Sequence, residues 1–137
     1  MQLQFDEFMN KKVYDMVIKC ASNARDLDKK DKDNKDKKLD KTTVSNMLEI
    51  FQGNAISATL TLMIYIKRQE KRREIPHNVA SSLFNDLASI YNSFSSEEEK
   101  LSKAVYKYLL LFKWAFECEI TQRVNTFDEF IKISKGA

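Results

Sequence analysis

The sequence predicts an all-α protein, a compact bundle of five to six helices in a single domain over residues 1–137. Only two Gly and one Pro punctuate 137 residues, too few for the turns of a many-stranded sandwich or barrel. Apolar residues instead recur at spacings of three, four and seven along most of the chain. A hydrophobic content of 43% is enough for a core, and a chain of this length fits one domain.

The first helix is expected from near Phe5, where Phe5, Phe8, Met9, Met16, Val17, Cys20 and Ala24 form a stripe. Lys11, Lys12, Asp15 and Lys19 fill the opposite face. From Arg25 to Lys41 the pattern vanishes: acids and lysines alternate, with two leucines to bury. Residues 25–41 therefore read as a charged, mobile loop or a solvated helical extension.

Thr42 or Thr43 is expected to cap a second helix carrying Val44, Met47, Leu48 and Phe51 and stopping at Gly53. A third helix runs through apolar positions 55–66 straight into Lys67-Arg68-Gln69-Glu70-Lys71-Arg72-Arg73. Pro76 is placed as the first residue of a fourth helix, striped by Val79, Leu83, Phe84, Leu87 and Tyr91. Ser96-Glu97-Glu98-Glu99 reads as a capping box that opens the longest helix, Lys100 to about Arg123. Positions 105–116 within it are apolar nearly all round, which predicts the central helix of the bundle. Thr126 to Glu129 repeats the box signature before Phe127, Phe130, Ile131 and Ile133, and Lys132, Lys135 and Gly136 close a last short helix.

The residues that carry chemistry are mostly arranged against catalysis. Cys20 and Cys118 both fall at apolar helical positions and are expected to be reduced and buried. Asp31-Lys32-Asp33-Asn34 suggests calcium, but an EF-hand needs Gly and Glu where this loop offers Asp36 and Thr42. His77 has no Cys or second His at ligand spacing and is expected to be structural or exposed. Glu117 and Glu119, two residues apart on a helix, point in different directions. No Gly-rich phosphate loop or nucleophile elbow is present. The expectation is a protein that is not an enzyme, with no metal and no cofactor. A charged N-terminus, and the lack of an apolar run long enough for a bilayer, add a cytoplasmic setting without membrane contact.

The basic run is the informative feature. Five cations against Glu70 give a local charge of +4, more than the whole chain's +3 from 23 Lys and Arg against 20 Asp and Glu. Lys67 and Lys71 are one turn apart, as are Arg68 and Arg72, so two rows of cations should face outward. Lys100, Lys103 and Lys107 form a second strip on one face of the fifth helix. The nucleic-acid-binding candidates are thus Lys67, Arg68, Lys71, Arg72 and Arg73, with Lys103 and Lys107. No recognition-helix turn or zinc finger is evident, so contact with a phosphate backbone, without sequence preference, is their natural use. A helical protein–protein adaptor, its cations serving as a solvated face, is the rival reading, and a small duplex-DNA binder is a third. Phe5, Phe8, Phe127 and Phe130 are candidate apolar patches for joining copies head to tail.

From about Lys41 onward the order of elements resembles the small helical subunit of type III CRISPR effector complexes, the non-catalytic subunit of the Csm and Cmr assemblies, with the Csm type favoured. Residues 41–48 resemble its Thr-rich helix start. Leu62-Met63-Ile64-Tyr65-Ile66-Lys67-Arg68-Gln69 resembles its apolar helix ending in Tyr and basic residues, and residues 106–116 resemble its closing hydrophobic helix. The resemblance implies a subunit that stacks with copies of itself as a short filament. It also implies contact with other CRISPR subunits and with the phosphates of guide RNA and target RNA. Lys67 and Arg68 match the basic end of the family's helix.

Overall fold

In the computed structural model, which describes residues 2–24, 39–120 and 122–135, the apolar periodicity resolves into six helices with no strand among the described residues. Helix α1 covers residues 5–24 without interruption, as an α-helical start (Phe5–Glu7), a π-helical turn (Phe8–Lys12) and a longer α-helical part (Val13–Ala24). Then come α2 (Lys41–Ile50), α3 (Ala55–Lys71), α4 (His77–Phe94), α5 (Glu98–Glu117) and α6 (Phe127–Lys135). Helix α5 packs against α1, α2, α3 and α4, which makes it the central helix, as its apolar middle predicts.

The π turn is the feature that simple periodicity misses. Phe8 and Val13 are both completely buried, although five residues of regular α-helix would separate them by about 140°. The wider turn brings both to the core face. Lys107 Nζ reaches into this turn from α5 and donates to the Met9 carbonyl at 2.7 Å. Ahead of it, the Leu3 amide donates to Ser93 Oγ at 2.8 Å, and the Phe5 ring meets Phe94 edge-on at 5.5 Å. The N-terminus is thereby fastened to the end of α4.

Several helix boundaries differ from expectation, each for a local reason. Residues 25–38 of the charged run lie outside the described residues, while Leu39 is buried and Asp40 caps α2 by accepting the Thr43 amide at 2.8 Å. Thr43 is itself buried, so neither expected threonine is the cap. Helix α2 ends at Ile50, and Gly53, at φ +79, forms the turn into α3. Pro76 is the N-cap of α4 and not its first residue. Ser96 does not cap α5, which starts at Glu98 and whose N-cap, Glu97, makes no side-chain capping bond. Instead, Glu98 Oε2 accepts the Ala55 amide at 2.6 Å, so the first turn of α5 caps the first turn of α3.

Helix α5 stops at Glu117, six residues before the expected end, and Glu119 turns the chain at φ +53. The turn lets Ile120 and Val124 return to the core, where Ser22 Oγ both donates to the Val124 carbonyl (3.1 Å) and accepts its amide (3.3 Å). It also leaves Cys118 exposed, against expectation, whereas Cys20 is buried. Helix α6 lies on α1: Asp15 Oδ1 accepts the Phe127 amide at 2.7 Å, and Thr126 Oγ1 accepts the Glu129 amide, as the box signature predicts.

Of the four phenylalanines expected to join copies, one is buried and three are half-buried against the bundle. Phe8 is buried, Phe5 packs on Phe94, and Phe127 lies against both Tyr14 and Phe130. Among the described residues, the large apolar side chains that remain exposed are Leu60, Ile64, Tyr106, Trp114, Ile131 and Ile133.

Candidate nucleic-acid interface

The core-facing residues of α3 are Ala55, Ala58, Thr59, Leu62, Ile66 and Gln69, a spacing of three and four that commits one side of the helix to the bundle. Positions 60, 64, 67, 68 and 71 therefore face solvent. The helix ends in a Schellman turn, with the Arg73 amide donating to the Glu70 carbonyl (3.0 Å) and the Glu74 amide to the Gln69 carbonyl (2.8 Å). Arg73 occupies the left-handed position at φ +63 that glycine usually takes. Of the expected unbroken basic helix, Lys67, Arg68 and Lys71 are helical, Arg72 is the C-cap, and Arg73 lies in the turn beyond.

This geometry separates the five cations. Lys67 pairs with Glu70 at 3.5 Å and sits 4.7 Å from the centre of the Phe84 ring. Glu70 also bonds His77 Nδ1 through its second oxygen. That hydrogen bond, aided by the charge of Lys67 and opposed by slight burial, holds the Glu70 carboxyl below its ordinary value. Glu70 thus stands among the cations as a fixed internal anion. Arg68, Lys71, Arg72 and Arg73 are exposed, and no ion pair holds them among the described residues. The last turn of a helix is the negative end of its dipole, so these cations stabilise α3 as well as charging the surface.

Two shallow depressions adjoin the cations. One is polar and lined by Lys67, Glu70, Lys71, Arg73 and His77. The other is apolar, with Leu60, Met63, Ile64 and Phe84 as floor and Lys67, Arg68 and Lys71 as rim. The apolar floor is a feature that the sequence reading passed over. Its signal is that Leu60 and Ile64, one turn apart, fall off the core stripe of α3.

The second strip is divided by its partners. Lys100 pairs with Glu97 at 3.1 Å and lies over Phe5, and Lys103 pairs with Glu99 at 3.0 Å. Lys107 is tied to the Met9 carbonyl and sits 5.1 Å from the centre of the Tyr14 ring. Only Lys103 of the three is exposed, and its exposed ion pair is weak and exchangeable.

A knot of titratable groups joins α1, α4 and α5. The Tyr108 hydroxyl donates to Asp86 Oδ2 at 2.6 Å, with Cys20 and Ser82 alongside. Burial pushes the Asp86 carboxyl up to about 6 and, together with the Asp86 charge, the Cys20 thiol up to about 12. At neutral pH Cys20 is a protonated thiol enclosed by the core. No group of three or more His, Cys, Asp or Glu that could hold a metal occurs among the described residues, and no helix there is long and apolar enough to cross a membrane.

No protein-family model matches this chain, and no curated protein or solved structure matches it either.

Proposed function

We propose that this chain is a non-catalytic small subunit of a type III CRISPR RNA-guided interference complex, where it binds the backbone of guide and target RNA and stacks with copies of itself. The observation that carries the reading is the exposed group Arg68, Lys71, Arg72 and Arg73 at the end of α3, without ion pairs among the described residues. Lys and Arg in that state release counterions from a phosphate backbone and need no base contact to do so. The resemblance of residues 41–48, 62–69 and 106–116 to the Csm-type subunit supports the assignment to an RNA-guided assembly. Chemistry in such an assembly belongs to other subunits, and a cytoplasmic setting follows from the same reading.

The test is binding to single-stranded RNA as a function of salt. For four phosphate contacts the logarithm of affinity should fall with the logarithm of salt at a slope near −3, at about 0.7 per contact. Arg68→Gln, Lys71→Gln and Arg72→Gln together should abolish binding; the loss of their interaction with the dipole of α3 should lower stability by about 1–2 kcal/mol and leave the chain folded.

The rival, a protein–protein adaptor, draws on the apolar floor of Leu60, Met63, Ile64 and Phe84 beside the same cations. It predicts no RNA binding, and a partner lost on Ile64→Asp with the cations intact.

A further inference from the structure

The outer side of α3 borders a groove shared with α4, apolar on its floor and basic on its rim. Leu60 is 42% exposed, and Ile64, at 71%, is the most exposed large apolar side chain among the described residues. Met63 and Phe84 complete the floor, and Lys67, Arg68 and Lys71 form the rim. At about 100° per residue, Leu60, Arg68 and Lys71 all lie within about 40° of Ile64, opposite the core positions Leu62, Ile66 and Gln69. The charge of the groove is one-sided: no carboxylate lines it, and the chain holds no acid from Ile50 to Gln69. Glu70 is turned to the polar depression, where it bonds His77 as well as Lys67. Asp86, the one acid of α4, accepts the Tyr108 hydroxyl, and Glu74 lies half-buried beyond the turn that ends α3. Arg68 and Lys71 keep their full charge beside the floor, without an ion pair among the described residues.

We propose that this groove docks an acidic amphipathic helix of a partner protein, whose apolar stripe lies on Leu60, Met63, Ile64 and Phe84 and whose carboxylates meet Arg68 and Lys71. Floor and rim select the occupant together. Leu60, Met63 and Ile64 offer RNA neither a ring for a base nor a donor for a phosphate, and the one ring of the floor, Phe84, lies under the Lys67 ammonium at 4.7 Å. A helix with apolar residues one turn apart fits such a floor. The cations attract a segment with acids beside that stripe and repel a basic one, which is how complementary potentials choose partners. An apolar centre containing Met, inside a charged rim containing Arg, is also the composition of a protein interface. From Leu60 to Lys71 the groove follows about 16 Å of α3, so a partner helix of three turns covers it. The inference goes beyond the RNA reading and does not rest on it. Arg68 and Lys71 belong to both surfaces, whereas Leu60 and Ile64 belong to the groove alone. It differs from the adaptor reading in fixing the charge of the partner and in allowing RNA as a second ligand.

The probe is a fluorescein-labelled helical peptide of about 14 residues, with Leu at spacings of three and four along one face and Glu at the flanking positions. One control has the same composition with the Leu residues scattered round the helix, and a second keeps the stripe and replaces every Glu by Gln. Fluorescence anisotropy with the full chain at low salt should show the striped acidic peptide bound about tenfold more tightly than either control. Leu60→Ala with Ile64→Ala, both at exposed positions, should weaken that peptide about tenfold. The same variant should keep the wild-type helical content and bind a short oligouridine as wild type does. Arg68→Gln with Lys71→Gln should weaken both ligands.

Equal binding of the striped and scattered peptides would overturn the groove, because charge alone would then account for it. Equal binding of the Gln peptide would overturn the acidic partner. So would peptide binding that Leu60→Ala with Ile64→Ala leaves unchanged. Two other occupants are tested on the same variant. Self-association of the chain in sedimentation, lost on Leu60→Ala with Ile64→Ala, would give the groove to a second copy and overturn the proposal. Binding to phosphatidylserine vesicles in place of the peptide would give it to an anionic lipid surface and overturn it as well. Oligouridine binding without peptide binding would overturn the groove and leave the RNA reading in place. Peptide binding without oligouridine binding would support the groove and remove the RNA reading.

Discussion

The Glu98 carboxylate, in the first turn of α5, accepts the backbone amide of Ala55 at 2.6 Å, so one helix start satisfies a first-turn amide of another 43 residues away in sequence. The bond is partly buried and charge-assisted, and it lies at the positive end of two helix dipoles. It sets the start of α3, and with it the direction in which Arg68 and Lys71 are presented. Glu98→Ala should cost about 1–2 kcal/mol in urea unfolding, and Glu98→Gln less, since an amide oxygen can still accept. Equal losses for the two variants would show that charge contributes nothing at this site.

The Asp86 carboxyl, raised by burial from 3.8 to about 6, makes stability depend on pH in an unusual direction. Because the folded state binds this proton more tightly than the unfolded state, the contribution of Asp86 is fully present below about pH 4 and is lost as pH rises through 6. The whole shift corresponds to ~3 kcal/mol at 1.36 kcal/mol per unit. Roughly 1 kcal/mol of it should appear between pH 7 and pH 5, with the protein more stable at pH 5. Asp86→Asn, which keeps an acceptor for the Tyr108 hydroxyl, should flatten that part of the profile. A wild-type protein that loses stability over the same interval would contradict the burial of this carboxyl.

Arg73 carries a conflict between backbone and charge. A non-glycine residue at φ +63 costs roughly 1 kcal/mol relative to Gly. Arg73→Gly should therefore raise stability by about 0.5–1 kcal/mol, after allowing for the freer unfolded chain, and shift the unfolding temperature upward. If Arg73 contacts phosphate, the same variant should lower the salt slope of RNA binding by about 0.7. A gain in stability without change in the slope would assign Arg73 to neither the fold nor the interface.

Much of the fold was legible because helices announce themselves locally. The stripe Val79, Leu83, Leu87 is buried as predicted, and the apolar run 105–116 does form the central helix. The unread parts depend on contacts between distant residues. Val13 belongs to the core only because a π turn re-phases α1, and that turn is served by Lys107 from the far end of the chain. The end of α5 is set by Ile120 and Val124 reaching Ser22, which no local signal at Glu117 announces. In the candidate interface, the cations were legible from charge density alone. Their partners were not: the pairing of Glu70 with Lys67 and His77 depends on how α3 and α4 meet. Tyr106 and Trp114 stood inside a run that reads as core throughout, and only packing shows which of its rings face outward.

The central claim, that this chain works on RNA inside a guide-RNA-directed complex, is tested most directly by purifying it natively from its own source. Its companions are then identified by mass spectrometry of the proteins and length analysis of any nucleic acid. The account predicts co-purification with a large multi-subunit assembly and a short RNA of narrow length range. A partner free of nucleic acid would contradict it and leave the adaptor reading in its place.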